Sequence, residues 1–544
     1  MTPAGTPEPN DPVNDRPDPI TPAGRLFRSG WRLATGLASV ALGTSQVSPA
    51  PGDWRFKDPT WAQHPYYRRL GQAYSVSCTF ADEVLDDLAR TGRSTSAARF
   101  VVNVAESVVA PTNTLLGNPA AVKRAYETGG LSLLRGTRNL LDDVVHNGGM
   151  PSTVDRSVYQ VGRDFAITPG TVVDRDPYAE LIQYTPSTKK VQTRPVLIIP
   201  PPIGRYYFLD LRPGRSMVEY TVSRGLQAFM LSWRNPTREQ AGWNLDTYAG
   251  RVLSAIEAVR EVTGAPDIDV IGFCAGGILL TLALNQLAAL GEAPVHSASY
   301  AVTLLDWGAD VPVKAFSASK LLALARWNSA RAGVISAKDM GSAFTWMRPD
   351  DLVWKAWVNN YLMGDKPPAF DILAWNADGT NLPAALHAQF LDLFEHNSMA
   401  TPGALTCLDS PVDLGTIKVP TYVTGGVTDH LTPWASCYRT TQLFGGPSTF
   451  VLSNAGHIQS LVNPPGNPKA TFYTGAELPP DPQAWLATAE KHTGTWWTHW
   501  ADWVIANSGA TKAAPGQPGS AGHPPLDDAP GRYVRDLGPD DVRP

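Results

Sequence analysis

One cysteine, set between an apolar strand and an apolar helix, constrains the fold of this chain more than any other feature. The run from Ile268 to Ile271 is typical of a buried strand, and the run ILLTLALNQLAAL from Ile278 is typical of a buried helix. Between them stands G-F-C-A-G, with Cys274 at its centre. Small residues around a nucleophile permit the sharp, strained turn that exposes it above a sheet. The pattern predicts a nucleophile elbow that carries cysteine in place of serine.

The order of strands and helices supports an elbow. Cysteine is often simply a buried packing residue, so the surrounding pattern has to distinguish that interpretation from a nucleophile at an elbow. From about residue 164, helical stretches alternate with the short apolar runs AELIQY, PVLIIPPP, AFMLSW, IDVIGF, PTYVTGG and TFVLSN. This alternation predicts a parallel sheet with helices on both faces. Together with the elbow, it indicates an α/β-hydrolase fold over residues 166–510.

Other regions flank or interrupt this predicted core. Residues 53–165 carry apolar side chains three and four apart and are predicted to form a helical N-terminal domain. Residues from about 308 to 406 lack a strand series, hold five tryptophans and are expected to form an inserted, mostly helical cap. The proline-rich segments 1–52 and 511–544 hold few aliphatic residues, so they are predicted to be disordered tails.

Composition excludes several classes of function. Lys and Arg number 45 against 50 Asp and Glu, so no basic surplus draws the chain to nucleic acid. The four cysteines lie far apart without C-x-x-C spacing, so neither a disulfide framework nor a zinc site is indicated. The apolar stretch from Leu33 to Leu42 is too short for a transmembrane helix, and the first residues do not form a secretory leader. A cytoplasmic protein without a metal site is expected.

Two late loops supply candidate partners for Cys274. In this fold the acid follows one late strand and the histidine follows the next. The apolar run that ends at Gly425 precedes Asp429, and the run that ends at Leu452 precedes His457. Loops at the carboxyl ends of parallel strands collect such groups. Asp429 and His457 are therefore the predicted acid and base.

Two other residues compete for these roles. His430 is an alternative base, although it shares a turn with Asp429 and would leave His457 without a role. Asp306 follows another apolar run and is either a structural residue or a supporting group of the site.

Backbone N–H groups are predicted to bind the developing oxyanion. The residue after the nucleophile normally provides one donor, and an early strand-to-helix loop provides another. Ala275 supplies the first. The strand PVLIIP runs into three prolines, which lack an N–H group, so Ile203 is the first residue that can supply the second.

A cysteine nucleophile indicates acyl transfer to a second acceptor. It holds the acyl group as a thioester and so conserves its transfer potential. Because a free thiol is only a few per cent ionised at neutral pH, His457 is expected to raise the thiolate fraction of Cys274.

The motifs resemble those of the poly(3-hydroxyalkanoate) synthases over all but the two tails. The matching segments are DWRFKDP, PYYRRLGQAY, GGMPSTVD, ELIQY, FLDL, SWRNP, GFCAGG, MRPDDLVW, VNNYL, FDILAWNAD, TDHLTPW, SNAGHIQSLVNPPGNPKA and GTWW. The long single chain is most similar to the single-subunit synthases that prefer medium-chain monomers, known as class II. One departure is PPPIGR at Pro200 to Arg205, where the family commonly has P-P-x-I-N-K. This change puts in doubt how the loop binds CoA or closes the cap.

The resemblance implies a reaction and a setting. The reaction is polymerisation of (R)-3-hydroxyacyl-CoA into polyhydroxyalkanoate, with coenzyme A as the leaving group and no cofactor. The family's nucleophile falls on Cys274, its base on His457, and its aspartate, which acts on the acceptor hydroxyl as well as on the histidine, on Asp429. A homodimer is implied, at the surface of cytoplasmic granules, in contact with the growing polyester and with granule-associated proteins.

Two alternatives to polymerisation stay open. A cysteine hydrolase (a thioesterase, lactonase or depolymerase) would use the same residues with water as acceptor. An inactive granule-associated scaffold would keep the fold without the reaction. The tryptophans of the cap likewise have two interpretations, as the core of a lid or as the lining of an acyl tunnel.

Overall fold

The computed structural model describes residues 21–91, 95–308 and 319–537. Parts of the predicted tails (1–20 and 538–544) and of the predicted cap (309–318) lie outside the described residues. The chain divides into two compact units, Met1–Leu133 and Leu134–Pro544. This division falls earlier in the chain than the boundary predicted at residue 165.

Helices make up the described part of the first unit. They are α1 Pro22–Leu42, α2 Thr60–Gln63, α3 Pro65–Ala89, α4 Ser96–Val109 and α5 Pro119–Glu127, and α6 Leu131–His146 starts at its end. Asn118 caps α5, because its side chain accepts a hydrogen bond from the Ala121 N–H at 3.2 Å.

The helix α1 lies within the segment that was predicted to be disordered, and the structure differs there. Val40 of this helix is buried, and Gly36 lies against Val76 of α3. Arg32 pairs with Glu83 of α3 at 3.0 Å. The prolines of this segment precede, begin or follow the helix, so they do not interrupt it.

The second unit contains the remaining elements. Its helices are α7 Met217–Ser223, α8 Leu245–Thr263, α9 Ala275–Leu290, α10 Ser319–Ala332, α11 Ala337–Trp346, α12 Lys355–Trp357, α13 Asp371–Asn376, α14 Ala384–His396, α15 Trp434–Thr440, α16 His457–Leu461, α17 Pro482–Thr488 and α18 Trp496–Asn507. Its strands are β1 Gly170–Arg175, β2 Ala179–Tyr184, β3 Lys190–Gln192, β4 Val196–Ile199, β5 Ala228–Trp233, β6 Ile268–Phe273, β7 Val295–Ala301, β8 Val334–Ile335, β9 Leu382–Pro383, β10 Thr406–Cys407, β11 Ser410–Pro411, β12 Thr421–Gly426, β13 Ser448–Ser453, β14 Thr471–Thr474, β15 Glu490–Thr493 and β16 Thr511–Ala513.

Ten of these strands form one central sheet. Their order is β1-β2-β5-β4-β6-β7-β12-β13-β14-β15. Neighbours from β5 through β13 are parallel, as the alternating pattern predicted. The strand β2, which the sequence placed in the same series, is antiparallel to both β1 and β5. The link between β1 and β2 is short, and only antiparallel strands can be joined so directly.

Apolar residues cover both faces of the sheet. Successive residues of β5 point to opposite sides, so Phe229 and Leu231 join one core while Met230 joins the other. The helices α8 and α9 pack on the first face. The helix α18 packs on the second face through Trp496, Trp497 and Trp500, all fully buried.

The described part of the predicted cap region is mostly helical. It contains α10 to α14, the short pair β8 and β9, and two π-helical turns, Asp350–Trp354 and Val358–Leu362, on either side of α12. Trp357 packs edge-on against Trp354 and Tyr361, with ring centroids 5.7 and 5.0 Å apart.

The C-terminal segment was predicted to be disordered, and this is wrong for residues 511–537. The strand β16 pairs with β3, and Leu526 and Asp527 exchange backbone hydrogen bonds with Val172 of the edge strand β1. Tyr533 and Val534 are buried. Prolines are tolerated in a segment at a sheet edge, where not every N–H is needed for pairing. We call residues 526–537 the C-terminal strap.

A buried carboxylate anchors this strap. Glu180 of β2 is fully buried and pairs with Arg175 at 2.6 Å. It also accepts hydrogen bonds of 3.0 Å from the backbone N–H groups of Arg532 and Tyr533. A buried charge is stable only when it is paired and hydrogen-bonded, and the strap supplies part of that environment.

We predict that Glu180→Ala destabilises the protein by about 3 kcal/mol, since the substitution leaves two backbone N–H groups of the strap without their acceptor and removes one of the two carboxylates that pair with Arg175. Thermal midpoints followed by tryptophan fluorescence measure the effect. Glu257→Ala is the matched control, because Glu257 forms an exposed ion pair with Arg260 at 2.6 Å and should lose less than about 1 kcal/mol. Equal midpoints for the two variants would contradict the prediction.

Candidate active site

The backbone at Cys274 adopts a strained conformation. Its φ of 50° and ψ of −122° lie outside the regions that residues with a side chain normally occupy. The Cys274 N–H donates to the Ala301 carbonyl at 2.9 Å, and the Thr303 hydroxyl donates to the Cys274 carbonyl at 3.1 Å. Because strain of this kind persists only where neighbouring groups fix it, β7 and the residues after it hold the turn in place.

The two glycines of G-x-C-x-G have no room for a side chain. A Cβ on Gly272 would lie 2.6 Å from the Gly277 Cα, and one on Gly276 would lie 2.3 Å from the Ile199 carbonyl oxygen. The turn therefore packs directly against the end of β4. Cys274 itself is partly exposed, between β6 and α9.

Strand register brings the other two predicted residues together. In the parallel pair β12 and β13, Gly426 lies opposite Ser453, so the loops that follow leave the sheet side by side. Asp429 lies in the first loop and His457 begins α16 after the second. Their side chains meet, with His457 Nδ1 2.7 Å from Asp429 Oδ2, and both residues are buried.

A threonine that the sequence analysis did not single out completes this pair. The N–H groups of Leu431 and Thr432 donate to Asp429 Oδ1 at 2.9 Å each. The Thr432 hydroxyl donates to Asp429 Oδ2 at 2.7 Å and lies 3.2 Å from His457 Nδ1. The spacing D-x-x-T, which favours a side-chain-capped turn, is the signal that could have identified it.

The pair shifts the pKa of both members. Burial would raise the pKa of Asp429, but the charge of His457 and the hydrogen bonds from His457 and Thr432 hold it below its ordinary value. Burial would lower the pKa of His457, yet Asp429 and then Cys274, each through its charge and a hydrogen bond, raise it to about 10. The histidine is therefore a stronger base than a free imidazole.

The competing residues lie in different environments. Burial and the charge of Arg348 lower the pKa of His430, which makes it a weaker base than His457. Asp306 accepts hydrogen bonds from Arg439, Asn397 and the Gly308 N–H at 2.7 to 2.9 Å. These contacts give Asp306 a structural role.

The loop that contains Ile203 lies beside the elbow. In the parallel pair β4 and β6, Ile199 is opposite Gly272, so residues 200–205 leave the sheet next to Cys274. The Trp233 indole donates to the Pro200 carbonyl at 2.8 Å. The Thr380 hydroxyl donates to the Pro202 carbonyl at 2.9 Å.

A possible metal-binding cluster lies on the surface. Among the described residues, Asp392, Glu395 and His396 at the end of α14 place ligand atoms within 4.8 Å of one another, and all three are exposed. Exposed acidic groups are common without an ion, so we assign no metal to them. No helix in the described segments is both long and apolar enough to cross a membrane.

The sheet, the strained cysteine turn and the Asp429–His457 pair define the class of this protein: an α/β-hydrolase fold with cysteine at the nucleophile elbow. Two family models agree. One, described as the N-terminus of poly-beta-hydroxybutyrate polymerase (PhaC), matches residues 52–221. The other, described as the alpha/beta hydrolase fold, matches residues 213–464 and confirms the predicted fold class.

Curated relatives give the family. Poly(3-hydroxyalkanoate) polymerase 1 of Ectopseudomonas oleovorans is 44% identical over 92% of this chain and 89% of its own length. The polymerase subunit PhaC of Cupriavidus necator is 37% identical over 91% of this chain and 85% of its own. The chain belongs to the poly(3-hydroxyalkanoate) polymerase family, as its motifs predicted.

Solved structures match more weakly. The monoacylglycerol lipase of Paleococcus ferrophilus is 13% identical and covers 58% of this chain and 97% of its own, with a TM-score of 0.30. That similarity is too low to add to the assignment.

We predict that the Asp429–His457 pair stabilises the fold in a pH-dependent way. The contribution of the raised His457 pKa is fully present below its ordinary value of 6.5 and is lost as pH rises through about 10. The contribution of the lowered Asp429 pKa is present above 3.8 and is lost as pH falls through the lowered value.

Asp429→Asn should therefore lower the thermal midpoint most between pH 3.8 and 6.5, by an amount equivalent to about 3 kcal/mol. The difference should shrink as pH approaches 10. The control is Asp502→Asn, which alters an exposed ion pair with Arg224. Its thermal midpoint should lie slightly below that of the wild type, by an amount that does not change with pH. If the thermal midpoint of Asp429→Asn stayed below that of the wild type by the same amount at every pH, the prediction would be contradicted.

Proposed function

We propose that this protein polymerises (R)-3-hydroxyacyl-CoA into polyhydroxyalkanoate through a thioester on Cys274. The observation that carries the proposal is a strained, partly exposed cysteine that interacts with the buried His457–Asp429 pair, in a chain of the polymerase family. The names of the relatives supply the 3-hydroxyalkanoate unit. The thiol supplies an intermediate that can pass the acyl group to a hydroxyl.

The first half-reaction loads the enzyme. His457 takes the proton of the Cys274 thiol, and the sulfur forms a bond to the thioester carbonyl carbon of the substrate. The N–H groups of Ala275 and Ile203 receive the oxyanion. When the carbonyl re-forms, the bond to the CoA sulfur breaks, His457 returns the proton to that sulfur, and CoA leaves as the thiol.

The second half-reaction extends the polyester. His457 removes the proton of a 3-hydroxyl group, and the hydroxyl oxygen bonds to the acyl carbon held on Cys274. The carbon–sulfur bond to the enzyme then breaks, an ester forms, and the proton returns to the thiol. No net oxidation or reduction occurs, so the proposed reaction needs no redox cofactor.

The hydrogen bonds around Asp429 favour an orienting role for this residue. One carboxylate oxygen accepts two backbone N–H groups, and the other accepts the Thr432 hydroxyl and contacts His457. A carboxylate with both oxygens occupied is poorly placed to accept a proton from an incoming hydroxyl. Asp429 instead fixes the ring of His457 and stabilises its charged form.

We also propose that the protein acts as a homodimer on granules of its own cytoplasmic product. The family resemblance implies this setting. Large apolar side chains that stand exposed on α1 support contact with an apolar surface, among them Phe27 at 76% and Trp31 at 63% exposure.

We predict that Cys274→Ala lowers CoA release by at least about 10³-fold, since the thiol is the acceptor of the first acyl group. The assay follows free thiol and polymer with a series of substrates from 3-hydroxybutyryl-CoA to 3-hydroxydodecanoyl-CoA. Cys78→Ala is the matched control and should retain activity, because Cys78 lies in α3, remote in sequence from the elbow. Polymer formation by Cys274→Ala at the wild-type rate would overturn the proposal, and release of free 3-hydroxy acid without polymer would identify a hydrolase.

We predict that Asp429→Asn slows the acylation of Cys274 itself, on the order of 10²-fold, because His457 loses its orienting partner. Rapid quenching and mass spectrometry of the acyl-enzyme measure this step. Normal acylation followed by a stall before chain growth would instead show that Asp429 activates the acceptor hydroxyl.

A further inference from the structure

The side chain of Arg205 connects the oxyanion loop to the C-terminal strap. It is 3% exposed and follows Ile203 by two residues. Its Nη1 donates to the Tyr533 carbonyl at 3.1 Å, and its Nη2 donates to Asp536 Oδ2 at 2.5 Å. Both partners belong to the strap, more than three hundred residues away along the chain.

The strap offers a fixed point for this guanidinium. The Tyr533 N–H is bound by the buried Glu180, and its hydroxyl donates to the Asp176 carbonyl at 2.5 Å. Asp536 also accepts the side-chain amide of Asn235, beyond the end of β5, at 2.8 Å. The position of Arg205 is therefore set by the central sheet through the strap.

The opposite side of the loop is held by residues of the cap region. The Trp375 indole donates to the Arg205 carbonyl at 2.7 Å, and Gly204 forms an isolated β-bridge with Gly379. A Cβ on Gly204 would lie 3.3 Å from the Trp375 ring. Glycine at this position, where the family commonly has asparagine, lets the tryptophan pack directly on the backbone.

The loop needs anchors from outside because of its own sequence. Pro200, Pro201 and Pro202 have no N–H groups, so they cannot donate hydrogen bonds that would fix the turn. Carbonyls of the loop accept from other segments, and the Arg205 side chain donates from the loop to the strap. An oxyanion donor is effective only when it is held within a few tenths of an ångström of its position.

We propose that Arg205, bound to Tyr533 and Asp536 of the C-terminal strap, is a positioning residue for the oxyanion hole. It holds the Ile203 N–H toward the acyl carbonyl and takes no part in proton transfer. The proposal rests on the function proposed above, since it needs an acyl-transfer reaction with Ile203 as a donor. It assigns the strap, which pairs with the edge of the sheet, a role in catalysis.

The test compares two reactions of the same thiol. Acylation of Cys274 by 3-hydroxyacyl-CoA forms an oxyanion, whereas alkylation of Cys274 by iodoacetamide does not. Arg205→Met keeps the unbranched stem of the side chain but removes its donors. It should slow single-turnover CoA release about tenfold or more, a fraction of the loss expected when an oxyanion donor is deleted. Its alkylation rate, followed on the Cys274 peptide by mass spectrometry, should stay within about twofold of wild type.

Two further variants keep the test independent of the folding of Arg205→Met. Arg205→Lys retains a charged donor and should recover part of the rate. Asp536→Asn keeps a residue that tolerates the positive φ of 60° at this position and should slow acylation about threefold. The double variant Arg205→Met/Asp536→Asn should be no slower than Arg205→Met alone, because Asp536 acts on the loop through Arg205.

Arg224→Met is the matched control, because its ion pair with Asp502 lies on the surface, and it should acylate at the wild-type rate. Wild-type acylation in both Arg205→Met and Asp536→Asn would overturn the inference. So would an equal loss of alkylation and acylation, which would indicate general damage to the site. A wild-type protein that releases no CoA from any chain length would instead overturn the proposed function.

Discussion

The strained turn at Cys274 is the constraint on which the active site depends. Cys274 has a positive φ, and Val302, just after the end of the neighbouring strand β7, also has a positive φ of 46°. A β-branched residue rarely adopts such a value, and each conformation of this kind costs about 1 to 3 kcal/mol. The cost is sustained because backbone hydrogen bonds link Cys274 to Ala301 and Val302 to Thr424 across three adjacent strands. Buried strands on both sides thus hold Cys274 above the sheet.

Buried charges in the second unit occur where distant segments have to meet. Glu180 joins β2 to the C-terminal strap, and Arg205 joins the strap to the oxyanion loop. His457 and Asp429 join the loops after two neighbouring strands. Removing one partner of such a pair costs far more than the pair contributes in net stability, so these contacts specify an arrangement more than they strengthen the fold.

The parts of the site that follow from local pattern could be predicted from the sequence. The elbow is a run of adjacent residues, and Asp429 and His457 follow apolar strands at the positions that this fold requires. Thr303 could not be identified in this way, because a threonine near a strand end is common and its role depends on what faces it. The strands β14 and β15 were missed for a related reason, since TFYT and EKHT lack a continuous apolar run, and β7 ends at Ala301, where the apolar run AVTLL begins.

The tails show the limit of composition as a guide. Few aliphatic residues and many prolines predicted disorder for both ends, yet one end contains the helix α1 and the other follows the sheet edge as the C-terminal strap. Composition measures how much apolar surface a segment can bury by itself. Composition cannot predict edge pairing, in which a proline-rich segment forms backbone hydrogen bonds with the edge strand of a sheet. The strap needs few apolar side chains because Glu180 and β1 bind its backbone, and this same attachment brings Tyr533 and Asp536 to Arg205. The position of the C-terminal strap and the position of Arg205 thus have one physical origin, the unpaired edge of the central sheet.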